Sequence, residues 1–175
     1  MSNIWFRLMA LEFKIRDYRH PRQEIVSEVG LKAGFKVLDY GCGPGGYVLA
    51  VSRAIGSTGK LYALDALPIA VEMVKKTAAK NELKNVETIR SDCATGLPNE
   101  ELDVVLLYDV FHDLEDPKAV LREVYRVLKP NGQLSFSDHH MKEDEITSKI
   151  AGTGLFKLQK RGKYTYSFAK QESTN

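Results

Sequence analysis

The residues able to do chemistry gather first around one bend. Asp39-Tyr40-Gly41-Cys42-Gly43-Pro44-Gly45-Gly46 sets an acid in front of four glycines in six residues. Glycines so spaced let the backbone reach positive φ and lie against a ligand with no Cβ between them. Two ligand classes suit such a bend. Gly41-x-Gly43-x-x-Gly46 fits a dinucleotide fingerprint, with Asp65 about 20 residues on as the ribose ligand. Asp39-x-Gly41-x-Gly43-x-Gly45 reads instead as an acid followed by alternate glycines. A pyrophosphate would rest on N–H groups at a helix N-terminus. Asp39 would repel it there, and Pro44 supplies no N–H. Both residues favour a positively charged nucleoside without phosphate. The plain alternative is a glycine turn that serves packing only.

Two further acids, Asp65 and Asp92, each come at or just past the end of a predicted strand. Each is a candidate acceptor for ligand hydroxyl or amino groups, or else an ordinary helix N-cap or loop acid. His112 and His139 are the candidate general bases, with His140 beside them, because imidazole changes protonation nearest neutral pH. A structural or substrate-contact histidine is the plainer reading of each. No metal centre is expected from His139 and His140 with Asp138 or Asp109, since neighbours on one strand point to opposite faces. Cys42 and Cys93 are the only cysteines. Both fall in loop positions where a small residue suffices, so no thiol chemistry is expected.

These residues need a scaffold that brings strand ends together. Lys36 to Tyr40 reads as a strand and Tyr47 to Ile55 as a helix. Lys60 to Leu64 is a second strand ending in Asp65, and Pro68 opens a helix to about Lys80. Val86 to Arg90 is a third strand. Leu102 to Tyr108 is apolar enough for a buried central strand. Asp116-Pro117 starts a helix whose inner face is Val120, Leu121, Val124, Val127 and Leu128. Pro130-Asn131-Gly132 is a turn, followed by a fifth strand, Gln133 to Ser137, and a polar helix, Met141 to Ala151. Phe156 to Gln159 and Lys163 to Phe168, joined through Arg161-Gly162, form a hairpin. Upstream, Asn3 to Arg19 and Arg22 to Val29 read as helices, parted at His20-Pro21 and stopped at Gly30. The fold class is therefore α/β: a doubly wound, mostly parallel, seven-stranded Rossmann-like sheet with a C-terminal antiparallel hairpin and N-terminal helices. Residues 1–30 form a helical lid or substrate segment and residues 31–170 the core.

Composition narrows the classes. A chain of 175 residues supports one domain with a sizeable core. A formal charge of +2 gives no reason to expect a nucleic-acid partner. Two cysteines without a disulfide framework suggest a reducing cytoplasm. No apolar run reaches the length of a membrane span, and the first residues lack a signal-peptide pattern. Residues 3–19 mix aromatic and basic side chains, so the leading helix is a packed element, a lid, or a membrane-surface contact. The last residues, 171–175, read as a loose tail.

From Val37 to Asp138 the chain resembles the class I S-adenosylmethionine (SAM)-dependent methyltransferases. It is most similar to the ubiquinone/menaquinone-biosynthesis and small-molecule branch. The matching segments are Val37 to Gly45, Leu61 to Asp65, Asp92-Cys93-Ala94 with Leu97-Pro98, Asp103 to His112 with Asp116-Pro117, and Leu121 to Gly132. The resemblance implies SAM as cofactor and in-line methyl transfer to a small-molecule acceptor. It implies that Asp39, Gly41, Cys42 and Gly43 hold the methionine end, and that Asp65 accepts from the ribose hydroxyls. It places Ala66 and Leu67 on the adenine, Asp92 and the Cys93 backbone at the adenine edge, and Tyr108 near the sulfonium. Tyr108-Asp109 and Asp138-His139-His140 depart from the family pattern. The region between the fifth strand and the hairpin is short, so the pocket relies on the leading helices, the loops or a partner copy in a homo-oligomer. Two other classes stay open: a nicotinamide-dinucleotide oxidoreductase, and a SAM-binding module without turnover.

Overall fold

The computed structural model describes residues 22–171. The expected helix over Asn3–Arg19, with its lid and membrane-surface readings, lies outside them, as does the tail past residue 171. In chain order the elements are α1 (Arg22–Val29), β1 (Lys36–Tyr40), α2 (Val48–Ile55), β2 (Lys60–Asp65), α3 (Pro68–Lys80), β3 (Val86–Arg90) and β4 (Leu102–Tyr108). A short 3₁₀ turn (Phe111–Asp113) follows, then α4 (Pro117–Val127), β5 (Leu128–Ser137), α5 (Glu143–Ala151), β6 (Phe156–Arg161) and β7 (Tyr166–Lys170).

The strands form one seven-stranded sheet in the order β3-β2-β1-β4-β5-β7-β6. β1 to β5 are parallel, and β7 alone runs antiparallel, between β5 and β6. The final two strands thus join the main sheet, as expected. Alternation along the strands feeds two apolar layers. Leu38, Tyr40, Val105 and Leu107 pack on one side with Val120, Val124, Ile146 and Phe168. Val37, Val104 and Leu106 pack on the other with Val26, Val29, Val51 and Ile55. Strand order reverses between β1 and β4. The loops leaving their carboxyl ends part in opposite directions there and open a crevice.

Among the boundaries that differ from the sequence reading, two have a clear local reason. Leu128 begins β5 instead of closing α4: it is fully buried and pairs with Leu102. The register then shifts before Val104 meets Gln133, and Pro130-Asn131-Gly132 is absorbed into this irregular stretch. The last strand begins at Tyr166, later than expected. The Glu28 carboxylate on α1 accepts hydrogen bonds from the N–H groups of Lys163 (2.8 Å), Tyr164 (3.1 Å) and Thr165 (3.1 Å), and from the Thr165 hydroxyl (3.0 Å). Those donors turn toward Glu28 and leave the ladder. Gly162 makes room for the clasp, since a Cβ there would sit 2.3 Å from Glu28 Oε2.

Burial pushes the Glu28 carboxyl up, but the donors from Tyr164, Thr165 and Lys163 outweigh it and hold the group below its ordinary value. A carboxylate with a lowered folded pKa stabilises above its unfolded pKa and loses that contribution as pH falls through the folded value. Glu28→Ala should therefore destabilise the protein by about 1–3 kcal/mol at neutral pH. The gap from the unsubstituted chain should close as pH drops below the usual glutamate range. Urea unfolding at a series of pH values measures both.

Candidate active site

The crevice between the β1 and β4 exits holds a cavity of about 670 Å³. Its floor is the glycine bend. Gly41 N–H and Cys42 N–H both donate to the Leu64 carbonyl (2.8 and 2.9 Å), which ties the exit of β1 to the exit of β2. Gly41 has φ +74°, and a Cβ there would meet Val110 at 2.6 Å. Gly43 has φ +51° and no atom within 4 Å of an added Cβ, so its backbone lies open. At Gly46 a Cβ would fall 0.7 Å from an Arg22 guanidinium nitrogen. Arg22 instead lies over the Tyr47 ring, 4.9 Å from its centroid.

Asp39 lines this cavity near the end of β1. It is 3% exposed, and among the described residues its Oδ2 has no hydrogen-bond partner. Burial pushes its carboxyl up to about 7, against an opposing pull from Arg22 and with a further push from Asp65. Asp65 is better served. Its Oδ2 accepts from Gly43 N–H (2.9 Å) and its Oδ1 from Leu67 N–H (2.9 Å). Burial still raises its pKa over the pull of those two donors. Each of its oxygens keeps acceptor capacity for a ligand hydroxyl.

Ala66, Leu67, Asp92 and Cys93 line the same cavity. The Tyr40 hydroxyl donates to the carbonyls of Asp92 (3.0 Å) and Cys93 (3.3 Å), which fixes the loop after β3. Tyr108 lines it too. Its hydroxyl is held 2.7 Å from Ser135 Oγ and its ring meets Tyr47 edge-on at 5.0 Å, so it offers the cavity an aromatic surface. Burial pushes both cysteine thiols up, Cys42 the more strongly, which keeps them protonated. The structure thus gathers all ten of the expected cofactor-binding residues around one space.

Asp109, Asp113, Glu115 and Asp116 add to the acids on the wall, and Arg22 is the one lysine or arginine among the described lining residues. Such a wall favours a cationic ligand and opposes a polyphosphate. Val110 and Leu114 also line it. Val110 falls within the matching segment Asp103 to His112 and Leu114 just after it, but neither was singled out, since the sequence offered only their place after a central strand. Arg22 and Tyr47 were equally silent: their stacking joins the start of α1 to the turn before α2 and leaves no spacing to read.

A second cavity, of about 340 Å³, adjoins the first and shares Arg22, Tyr47 and Asp109 with it. The two candidate bases part company here. His112 Nδ1 lies 2.9 Å from Asp138 Oδ2, and its side chain lines neither cavity. His139 lines the second cavity, with Nδ1 2.7 Å from Asp109 Oδ1. Asp109 reaches it from a backbone at φ +52°, just past β4.

The expectation that His139 and His140 point to opposite faces is corrected. β5 ends at Ser137 and the chain turns, so the two rings lie 3.9 Å apart between centroids. Ligand-type atoms of Asp109, Asp138 and His139 come within 4.8 Å of one another. Asp138 already accepts from His112 N–H (3.1 Å) and His140 N–H (3.0 Å) and pairs with the His112 ring.

Comparison with known proteins adds an independent line. A family model described as a methyltransferase domain matches residues 31–171. The chain is 34% identical over 115 residues to a demethylmenaquinone methyltransferase of Staphylococcus aureus, covering 65% of this chain and 46% of that one. It is 30% identical over 137 residues to the protein of the same name from Oceanobacillus iheyensis, covering 76% and 57%. The chain thus spans about half the length of the curated relatives it matches. Among solved structures it is similar to a SAM-dependent methyltransferase from Aquifex aeolicus, with a TM-score of 0.75, 30% identity and coverage of 85% and 88%.

The buried acid has a consequence that needs no ligand. The folded pKa of Asp39 lies above its unfolded value, so between the two the folded chain holds a proton that the unfolded chain has released. Stability then falls as pH rises toward about 7. Asp39→Asn should stabilise the ligand-free protein by roughly 1–3 kcal/mol above that pH. The gain should vanish below the ordinary carboxylate range. Chemical unfolding across pH, without added ligand, reads the effect.

Proposed function

The chain belongs to the methyltransferase-domain family, and on that premise we propose that it transfers a methyl group from SAM to a quinone-like small molecule. The observation that carries the reading is the buried Asp39 carboxyl, whose Oδ2 has no hydrogen-bond partner among the described residues, in an acid-lined cavity. An ammonium group is the natural complement of such an atom, and a pyrophosphate is not. Both the dinucleotide reading and a site for packing alone lose support on that ground.

In this reading Asp39 and the Gly41–Gly45 backbone hold the amino-acid end of SAM. Asp65 accepts from the two ribose hydroxyls while its bonds to Gly43 and Leu67 keep it aimed. Ala66 and Leu67 lie on the adenine, with Asp92 and the Cys93 backbone at its edge, and Tyr108 faces the sulfonium. SAM supplies a methyl group already activated by positively charged sulfur, so the protein's work is binding, orientation and exclusion of water. The acceptor class comes from the demethylmenaquinone methyltransferases it resembles. No described helix is long and apolar enough to cross a membrane. The leading segment, residues 1–30, is assigned to substrate recognition, since its described part, α1, lines the second cavity through Arg22 and Ile25.

Calorimetric titration tests the cofactor. S-adenosylhomocysteine should bind and NADH should not; tight NADH binding with no response to the homocysteine would overturn the reading. Asp65→Ala should weaken SAM binding by about 1–3 kcal/mol, the scale of lost charge-assisted hydrogen bonds. An unchanged dissociation constant would remove Asp65 from the ribose.

A further inference from the structure

Resting on the SAM-dependent reading above, we infer that the 340 Å³ cavity beside the cofactor cavity is the acceptor site. It binds a ring-bearing hydroxyl, a phenol or hydroquinone, and His139, held by Asp109, ionises it. Three observations carry this. The first is position. The two cavities share Arg22, Tyr47 and Asp109, so a molecule in the smaller one abuts the larger. The second is lining. Tyr47, Tyr164 and Tyr166 contribute aromatic rings, the first two with a cation over one face (Arg22 at 4.9 Å and Lys163 at 4.7 Å), and Ile25, Met141 and Ile146 contribute apolar side chains. Arg22, Arg161 and Lys163 add cationic groups to the same wall, so it suits a planar ring that carries an ionisable hydroxyl.

The third observation is the dyad. Asp109 Oδ1 accepts from His139 N–H (3.0 Å) and lies 2.7 Å from His139 Nδ1. A carboxylate at that distance places the ring proton on Nδ1, which leaves a lone pair on Nε2. His139 is the one histidine among the described residues lining either cavity. The step balances simply. The acceptor O–H bond breaks, an Nε2–H bond forms on neutral His139, and the electron pair stays on the acceptor oxygen, which activates the ring for alkylation. The imidazolium returns its proton to water, which its 53% exposed side chain can reach. Asp109 is the positioning residue, and its left-handed backbone is the local strain that aims it across from β4 to β5.

The test uses 4-nitrophenol, whose phenolate absorbs visible light, added to protein saturated with S-adenosylhomocysteine at a pH where the free probe is mostly protonated. The unsubstituted chain should bind the probe and show the phenolate band. His139→Gln should bind it with the band reduced at least tenfold. Asp109→Asn, which keeps the imidazole but loosens its anchor, should fall between. S-adenosylhomocysteine binding by the unsubstituted and His139→Gln chains reports folding and the cofactor reading separately, because His139 lines only the smaller cavity; its loss in both would count against the cofactor site and not the dyad. Three outcomes would overturn the inference: no probe binding, a band unchanged in His139→Gln, or a band that disappears on adding EDTA, which would put a metal ion in the role given to His139.

Discussion

The fold is organised around a carboxylate in a place where carboxylates are expensive. Asp39 sits on an inner strand of the sheet, 3% exposed, with one oxygen lacking a partner among the described residues. Its neighbours in the ladder are Ala63 on β2 and Leu106 on β4. An apolar residue would pack there at lower cost. The arrangement makes physical sense when a cation completes it. The surroundings are consistent with that. Glycines keep Cβ atoms off the bend, a proline removes an N–H that a phosphate would use, and acids crowd the wall.

Around that point, the carboxyl ends of the strands divide the labour. The exits of β1, β2 and β3 carry Asp39, Asp65 and Asp92, all facing the larger cavity. The exit of β4 carries Asp109, which lines both cavities, and the exit of β5 carries Asp138 and His139, which line the smaller one. A parallel sheet places all five exits on one edge, so loop chemistry can change without disturbing the layers beneath. Glu28 extends the same logic. By gathering three backbone N–H groups and a hydroxyl from residues 163–165, it fastens α1 to the hairpin, and both then wall the smaller cavity.

What could be read in the sequence follows from the range of each interaction. β1, β2 and β4 announce themselves because their apolar runs are nearly contiguous, while β3 and the end of β5 show as short segments in which apolar and polar residues mix between turns. The Asp116 cap is likewise local: its side chain accepts from Ala119 N–H at 2.9 Å, three residues on. The cofactor-site residues sit at strand ends, where sequence position implies spatial position. The Glu28 clasp could not be read, since its partners lie about 135 residues away in the chain and involve backbone donors that any residue supplies. Nor could the stacking of Arg22 on Tyr47, which needs Gly46 to leave a space. The histidine pair misled because strand alternation was carried past Ser137, where the strand had already ended. Leu128 misled in the opposite sense: its apolar spacing continues the helix, but its pairing with Leu102 makes it a strand residue.

The most direct measurement of the central claim is the proton released when SAM binds. With the Asp39 carboxyl pushed up to about 7 by burial, an arriving ammonium should drive it to ionise. Calorimetric binding enthalpies at mildly acidic pH should then differ between buffers of unlike ionisation enthalpy, by an amount corresponding to nearly one proton released. Asp39→Asn should abolish the difference. Equal enthalpies in all buffers for the unsubstituted chain, or the same buffer dependence in Asp39→Asn, would contradict a site built around that acid.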